Sequence, residues 1–309
     1  MKQKIKVLVC DPIHKDGIER LKRAGFTVDV KPKVSNEELK RLVSTYDVIV
    51  VRSRTAVTAE VISRGRRLKA IGRAGVGLDN IDINAAKKRN IAVFNSPEAP
   101  TEAVAELTIG LLISLARRLP YADRTMKEGQ WAKQQLKGWQ LEDKTLGILG
   151  LGNIGKKVAK IAKALGMKIL ITTRTPPDPK LLTELAGESV PLRELLTRSD
   201  VVTIHTPSTR QTQHMIGKEE LHLMKEGSYL INTARGAIVD EDALADALRS
   251  GKLAGAALDV YTVEPPKDLN LVTLRNVICT PHIGGQTEES QRRATTIIAD
   301  KIIAHLKNT

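Results

Sequence analysis

Aromatic residues are scarce in this chain of 309 residues: two Phe, two Trp and four Tyr. Base-stacking platforms of the kind that bind single-stranded nucleic acid are therefore hard to assemble. There are only two cysteines, Cys10 and Cys279, far apart in sequence and each at the end of a strand-like run. That excludes a disulfide framework and a paired-cysteine metal site, and it fits a reducing, cytoplasmic setting. No apolar run reaches the roughly 20 residues of a membrane span; the longest, "LTIGLLISLA", stops well short. The N-terminal "MKQKIKVLVCDP" has no cleavage pattern and reads as a first strand. Internal repeats and low-complexity linkers are lacking too, and no His/Cys/Asp/Glu spacing suggests a metal.

Positive charge is present in excess. Forty-nine Lys and Arg against thirty-five Asp and Glu leave a formal charge of +14. Such a surface could attract nucleic acid, an acidic partner or a small anionic substrate. Apart from "RGRRLK" at 64–69 the basic residues are scattered. With so few aromatics, that scatter disfavours nucleic acid and leaves a solvated basic surface as the plain alternative.

The chain alternates short β-branched apolar runs with segments of helical period, the pattern of parallel α/β units. "KIKVLVC", "FTVDV", "DVIVV", "LKAIGRAG" and "IAVFN" predict five strands in the first hundred residues. "SNEELKRLVS" predicts a helix with Ser35 and Glu38 as a capping box. A long helix is expected over Thr101–Leu119, apolar on most faces and suited to burial between domains or subunits. Six further strands follow: "TLGILG", "KILITT", "DVVTIHT", "SYLINTA", "GAALDV" and "VICT". A last helix from about Thr287 is expected to return to the first domain. The reading is therefore two doubly wound α/β domains: 1–98 with 286–309, and an inserted domain over 99–285.

One motif names a ligand class. Gly150, Gly152 and Gly155 stand at G-x-G-x-x-G spacing after the strand "TLGIL" and open the helix "NIGKKVAKIAKAL". That context suits a dinucleotide, with its pyrophosphate on the first-turn N–H groups near Asn153 and Ile154. The carboxylate expected about 20 residues on is missing; the second strand ends in Thr172, Thr173, Arg174 and Thr175. Hydroxyls and a guanidinium suit a 2′-phosphate, so NADP(H) is expected ahead of NAD(H). Three later stretches, "INTARGAIVDEDAL", "AALDVYTVEPP" and "TPHIGGQT", each follow a predicted strand and supply Arg235, Glu264 and His282. A guanidinium can hold a carboxylate bidentately, and a histidine paired with a carboxylate is an acid–base.

Together with "VVRSRTAVT", "GRAGVGLDNID", "AELTIGLL" and "KTLGILGLGNIG", these stretches resemble the D-isomer-specific 2-hydroxyacid dehydrogenases over nearly the whole chain, and within them the phosphoglycerate branch. The resemblance implies a Rossmann-type nucleotide domain inserted into a flavodoxin-like substrate domain, and a homodimer. It makes His282 the proton donor and acceptor. Glu264 would orient the ring and favour its charged form, and Arg235 would clamp the substrate carboxylate with help from backbone N–H groups of Gly75, Val76 and Gly77. It places Thr206, Pro207, Thr233 and Asp259 along the cofactor. Arg52, with Ser53 beside it, and Arg73 would meet the substrate from the first domain, as arginines there contact the substrate phosphate in the phosphoglycerate branch.

Two departures keep alternatives open. Glu98, Ala99 and Pro100 replace the small polar residues the family often has there, and the missing acidic residue resembles NADPH-using glyoxylate and hydroxypyruvate reductases. Some relatives of this superfamily are dinucleotide-sensing co-repressors, a role the intact trio argues against. With the sequence ending at Thr309, serine feedback through a C-terminal domain is not expected.

Overall fold

The computed structural model describes residues 4–307. They form two compact units: one runs through Ala103 and resumes at Gly285, the other is Val104–Gly284. No helix among the described residues is long and apolar enough to cross a membrane.

In the first unit β1 (Lys6–Val9), β2 (Thr27–Val30), β3 (Val48–Val51), β4 (Ala70–Arg73) and β5 (Ala92–Asn95) are parallel, in the order β2-β1-β3-β4-β5. The central "VIVV" of β3 is buried throughout, which is why it is apolar on both faces, whereas the edge strand β2 is largely exposed. Leu39, Val43, Val61 and Ile62 cover one face. Leu21, Ala294, Ile298 and Ile302 cover the other, so the helix Glu288–Lys307 closes this sheet.

The second unit holds β6 (Thr145–Leu149), β7 (Lys168–Thr172), β8 (Gly187–Ser189), β9 (Val201–Ile204), β10 (Ser228–Asn232), β11 (Leu253–Leu258) and β12 (Val277–Cys279), ordered β12-β11-β10-β9-β6-β7-β8. This is the doubly wound nucleotide-binding order. Its direction of winding reverses between β6 and β9, where the loops diverge and leave a crevice at the carboxyl ends. In the first unit the same reversal lies between β1 and β3.

Three local expectations need correction. β8 has only three residues and no apolar alternation, so no period betrayed it. The helix from Thr101 ends at Arg117; Arg118 turns left-handed at φ 52° and a second helix occupies Leu119–Lys127. Pro120 has no N–H to give to the Ala116 carbonyl, which accepts instead from Trp139 N at 3.1 Å. From Val104 on, that helix sends Ala105, Ile109, Leu112 and Leu115 into its own unit's core. Of the capping box only half exists: Ser35 Oγ accepts from Glu38 N at 3.2 Å, but the Glu38 carboxylate goes to Lys31 Nζ at 2.9 Å.

Both cysteines are free thiols. Burial, helped by the Asp11 charge, pushes the Cys10 thiol up to about 12. Many basic residues pair on the surface, as Lys40 does with Glu37 and Glu60 at 2.8 and 2.7 Å. Each such exposed pair is worth only about 0–1 kcal/mol.

Candidate active site

The crook between β6 and the helix Asn153–Ala164 requires all three glycines, each for a different reason. Gly150 sits at φ 100°, and a Cβ there would lie 2.7 Å from the His205 carbonyl oxygen. A Cβ on Gly155 would overlap the carbonyl oxygen of Gly150, so any side chain would push the helix off the strand. Gly152 caps the helix with no side-chain bond, and a Cβ there would meet nothing within 4 Å. The first turn, Asn153 and Ile154 included, carries no acidic residue. Open space beside uncapped N–H groups at the positive end of a helix dipole is what a pyrophosphate requires. The residues present therefore fit a dinucleotide.

Gly150 N donates to Thr172 O at 2.9 Å, which fixes the end of β7 beside the crook. Thr172 Oγ1 is spent on Val190 O at 2.7 Å, and Thr173 Oγ1 bonds Thr175 O at 2.6 Å. Arg174 is exposed and makes no hydrogen bond or ion pair among the described residues. On the β9 side, Thr206 N lies against Gly150, and the exposed Pro207 accepts from Thr212 Oγ1 at 2.7 Å. Thr233 differs: its hydroxyl is buried against Thr108 Oγ1 at 2.9 Å, inside the unit.

His205, beside this crook, pairs with Thr203 Oγ1 at 3.0 Å, and burial holds the ring down at about 3 from an ordinary 6.5. Part of the residue reaches the surface, yet the ring is desolvated. Between those two pH values the unfolded chain binds the extra proton, so His205 subtracts stability as pH falls from about 6.5 towards about 3. A His205→Asn variant is expected to move the acid-unfolding midpoint, read by circular dichroism, to lower pH; an unmoved midpoint contradicts this.

Arg235, Glu264 and His282 come from three loops at the carboxyl ends of β10, β11 and β12. His282 Nδ1 lies 2.7 Å from Glu264 Oε2, and Glu264 Oε1 accepts from Tyr261 N at 3.2 Å. Burial alone would raise the Glu264 carboxyl. The His282 hydrogen bond and charge, the Tyr261 N–H and the Arg235 charge outweigh burial and leave it below the ordinary range. An ionised Glu264 can only accept, so Nδ1 carries its proton and Nε2 is left to face a reactant.

Two buried side chains hold this trio, and the first of them is not singled out by the sequence. Asn232, 1 % exposed, donates from Nδ2 to Arg235 O at 2.9 Å and accepts from Ala234 N at 3.0 Å, clamping the turn under Arg235. Asp259, expected along the cofactor, is buried and accepts from Thr280 Oγ1 at 2.6 Å and from Ile283 N and Gly284 N, both at 2.8 Å. It thus grips the loop on both sides of His282, which sits at a left-handed φ of 54°.

In the first unit, Arg73 ends β4 opposite Val51 of β3, so Arg52 follows one position beyond on the neighbouring strand. Both stand at the carboxyl edge, with the exposed Ser53 next to Arg52. Arg52 Nη2 lies 3.4 Å from Gln286 Oε1. The Gly75 N–H, expected to help hold a carboxylate, is already engaged with Ser96 Oγ and Arg73 O, each at 2.9 Å. Asn95 Nδ2 braces the same turn through Val76 O at 2.7 Å, and Gly77 follows it without a turn of its own.

Residues 109–284 match the family model described as "D-isomer specific 2-hydroxyacid dehydrogenase, NAD binding domain". The chain is 47% identical over 300 residues to a D-3-phosphoglycerate dehydrogenase of Methanocaldococcus jannaschii, covering 96% of this chain and 57% of the relative. It is 43% identical over 304 residues to a hydroxypyruvate reductase of Thermotoga maritima, covering 97% and 98%. A glyoxylate reductase structure from Paecilomyes thermophila superposes with a TM-score of 0.91 at 32% identity, over 99% of this chain and 96% of that one. The chain thus spans little more than half the length of the phosphoglycerate dehydrogenase it matches.

Proposed function

We propose, from the premise that this chain belongs to the D-isomer-specific 2-hydroxyacid dehydrogenase family, that it interconverts a D-2-hydroxy acid and its 2-keto acid, with 3-phosphoglycerate and 3-phosphohydroxypyruvate as the pair. The observation that carries the chemistry is the His282 Nδ1 to Glu264 Oε2 bond of 2.7 Å, with the Arg235 charge acting on the same carboxylate. The bound nicotinamide would accept the hydride from C2 in oxidation and return it in reduction. His282 Nε2 takes the hydroxyl proton in the first case and protonates the carbonyl oxygen in the second. Glu264 holds the ring by Nδ1, and Arg235 fixes the substrate carboxylate in its guanidinium fork. Arg52 and Arg73 supply positive charge for a second anionic group, which favours a phosphorylated substrate over a plain one.

The end of β7 favours a second reading, an NADPH-dependent glyoxylate or hydroxypyruvate reductase. The exposed Arg174 can receive a 2′-phosphate, and the stretch offers no carboxylate to a 2′-hydroxyl. A Thr173→Asp, Arg174→Ala variant is expected to shift preference from NADPH towards NADH by about tenfold or more, the worth of one charge-assisted bond. An unchanged ratio of kcat/KM rejects the 2′-phosphate assignment.

The deciding experiment follows nicotinamide absorbance over 3-phosphoglycerate, hydroxypyruvate and glyoxylate, each with both cofactors in the appropriate direction. Turnover confined to the unphosphorylated acids selects the reductase. No turnover on any selects a dinucleotide-binding protein. A homodimer is the assembly we assign, and exposed Leu119, Met126 and Trp131 of the second unit suit burial against a second copy.

A further inference from the structure

Three buried aspartates and the partly exposed Asp200 sit at strand ends, and their positions sort them. Asp47 precedes β3 and takes Lys6 N and Arg67; Asp200 precedes β9 and takes Thr145 N and Lys225. Both lie at the amino edge of a sheet, away from where ligands bind in open α/β folds. Asp259 lies at the carboxyl edge of the second sheet and grips the loop of His282. Asp11 holds the corresponding place in the first sheet, one residue after Cys10, at the β1/β3 reversal of strand order. Its carboxylate is 1 % exposed, and the proton-transfer chemistry does not use it.

Every donor that Asp11 meets belongs to one loop, Arg52 to Thr55. Oδ2 accepts from Arg52 N at 2.6 Å and Thr55 N at 3.3 Å; Oδ1 accepts from Thr55 Oγ1 at 2.8 Å and pairs with Arg54 Nη2 at 3.0 Å. The same Arg54 nitrogen also donates to Cys10 O at 2.7 Å and Pro32 O at 3.0 Å. Asn80 Nδ2 ties the loop from the other side, to Arg52 O at 2.7 Å and Thr55 O at 2.6 Å. In "Arg-Ser-Arg" the two guanidiniums therefore differ. Arg54, although half-exposed, has its guanidinium tied back to the body of its unit, whereas the Arg52 guanidinium makes a long contact, 3.4 Å to Gln286.

We infer that Asp11 is a positioning residue for substrate recognition: by tethering the Arg54 guanidinium beside Cys10 and Pro32 and holding the Arg52 backbone rigidly, it leaves Arg52 to meet the distal anionic group of the substrate. This rests on the proposed reading that Arg52 meets that group. A buried carboxylate with charged and backbone donors on both oxygens is costly to assemble. At a ligand-binding edge that cost is repaid in a fixed side-chain direction. Asn in its place keeps the shape but turns one acceptor into an NH2 group, which faces either the two backbone N–H groups or Arg54.

The test compares Asp11→Asn and Arg52→Ala on 3-phosphohydroxypyruvate and on hydroxypyruvate, which has the same carboxylate and carbonyl without the phosphate. For Asp11→Asn the expected result is a KM for the phosphorylated acid raised about tenfold, the scale of one charge-assisted contact. Its kcat, and the KM for hydroxypyruvate, should stay within about twofold of the parent. A similar loss on both substrates, or no change on either, overturns the inference. If Arg52→Ala raises the phosphorylated KM and Asp11→Asn does not, only the inference fails; if Arg52→Ala leaves it unchanged, the substrate reading fails and takes the inference with it. Should Asp11→Asn not fold, Thr55→Val removes one donor to Oδ1 and keeps the carboxylate. A selective rise in the phosphorylated KM of about threefold is then expected, and an equal rise on both acids overturns the proposal.

Discussion

Glutamine in place of His282 is expected to lower kcat by about 10³-fold in both directions, within the range general acid–base catalysis supplies. The amide keeps a polar group near Glu264 but has no proton to exchange at the position of Nε2. Cofactor affinity, read by quenching of protein fluorescence on titration with NADPH or NADH, should stay within about twofold, because the glycine crook uses none of the trio. Hydride transfer without a partner for the hydroxyl proton then depends on water. Turnover at more than a tenth of the parent rate would remove His282 from the mechanism and, with it, the role of the 2.7 Å bond to Glu264.

The second large effect is at Arg235. An Arg235→Ala variant is expected to lose about 10³-fold in kcat/KM, or about 4 kcal/mol, the upper range for removing one partner of a hydrogen-bonded charge pair. The loss should fall on KM and kcat together, since the guanidinium both binds the carboxylate and orients the carbonyl for His282. Arg235→Lys should recover only part of it, as a single ammonium cannot copy the two-pronged fork. A pH signature accompanies the loss. The Arg235 charge is one of the influences that hold the Glu264 carboxyl low, so without it that carboxyl protonates at higher pH. Loss of activity on acidification should then begin at higher pH in Arg235→Ala than in the parent. A parent-like acid limb would show that Arg235 and Glu264 are not coupled.

Asn232 shows why the replacement must be made at the guanidinium and not beneath it. Its amide bonds both Ala234 N and Arg235 O, so changing it would move the backbone of Arg235 and mix recognition with folding. Asp259 stands in the same relation to His282. The family resemblance puts it along the cofactor, and a resemblance does not reveal how its oxygens are used. The structure shows them filled by Thr280, Ile283 and Gly284.

What could be read from the residue order alone is what depends on short spacings. Alternating apolar runs identified eleven strands because the central ones are buried on two faces and the segments between them carry a helical period of their own. G-x-G-x-x-G located the crook because turn, cap and helix packing all fall within six residues. The motif order singled out Arg235, Glu264 and His282. The three-residue β8 escaped because it has no period to detect, and the break at Arg118 escaped because no Gly or Asn marks the left-handed turn there. Tertiary structure alone decided which polar groups hold the others. Asp11 reaches Arg52 across 41 positions and Thr55 across 44; Gly75 reaches Ser96 across 21 and Asp259 reaches Gly284 across 25. Hydrogen bonds act over about 3 Å, and only the winding of parallel strands brings residues so distant in sequence to one edge of a sheet.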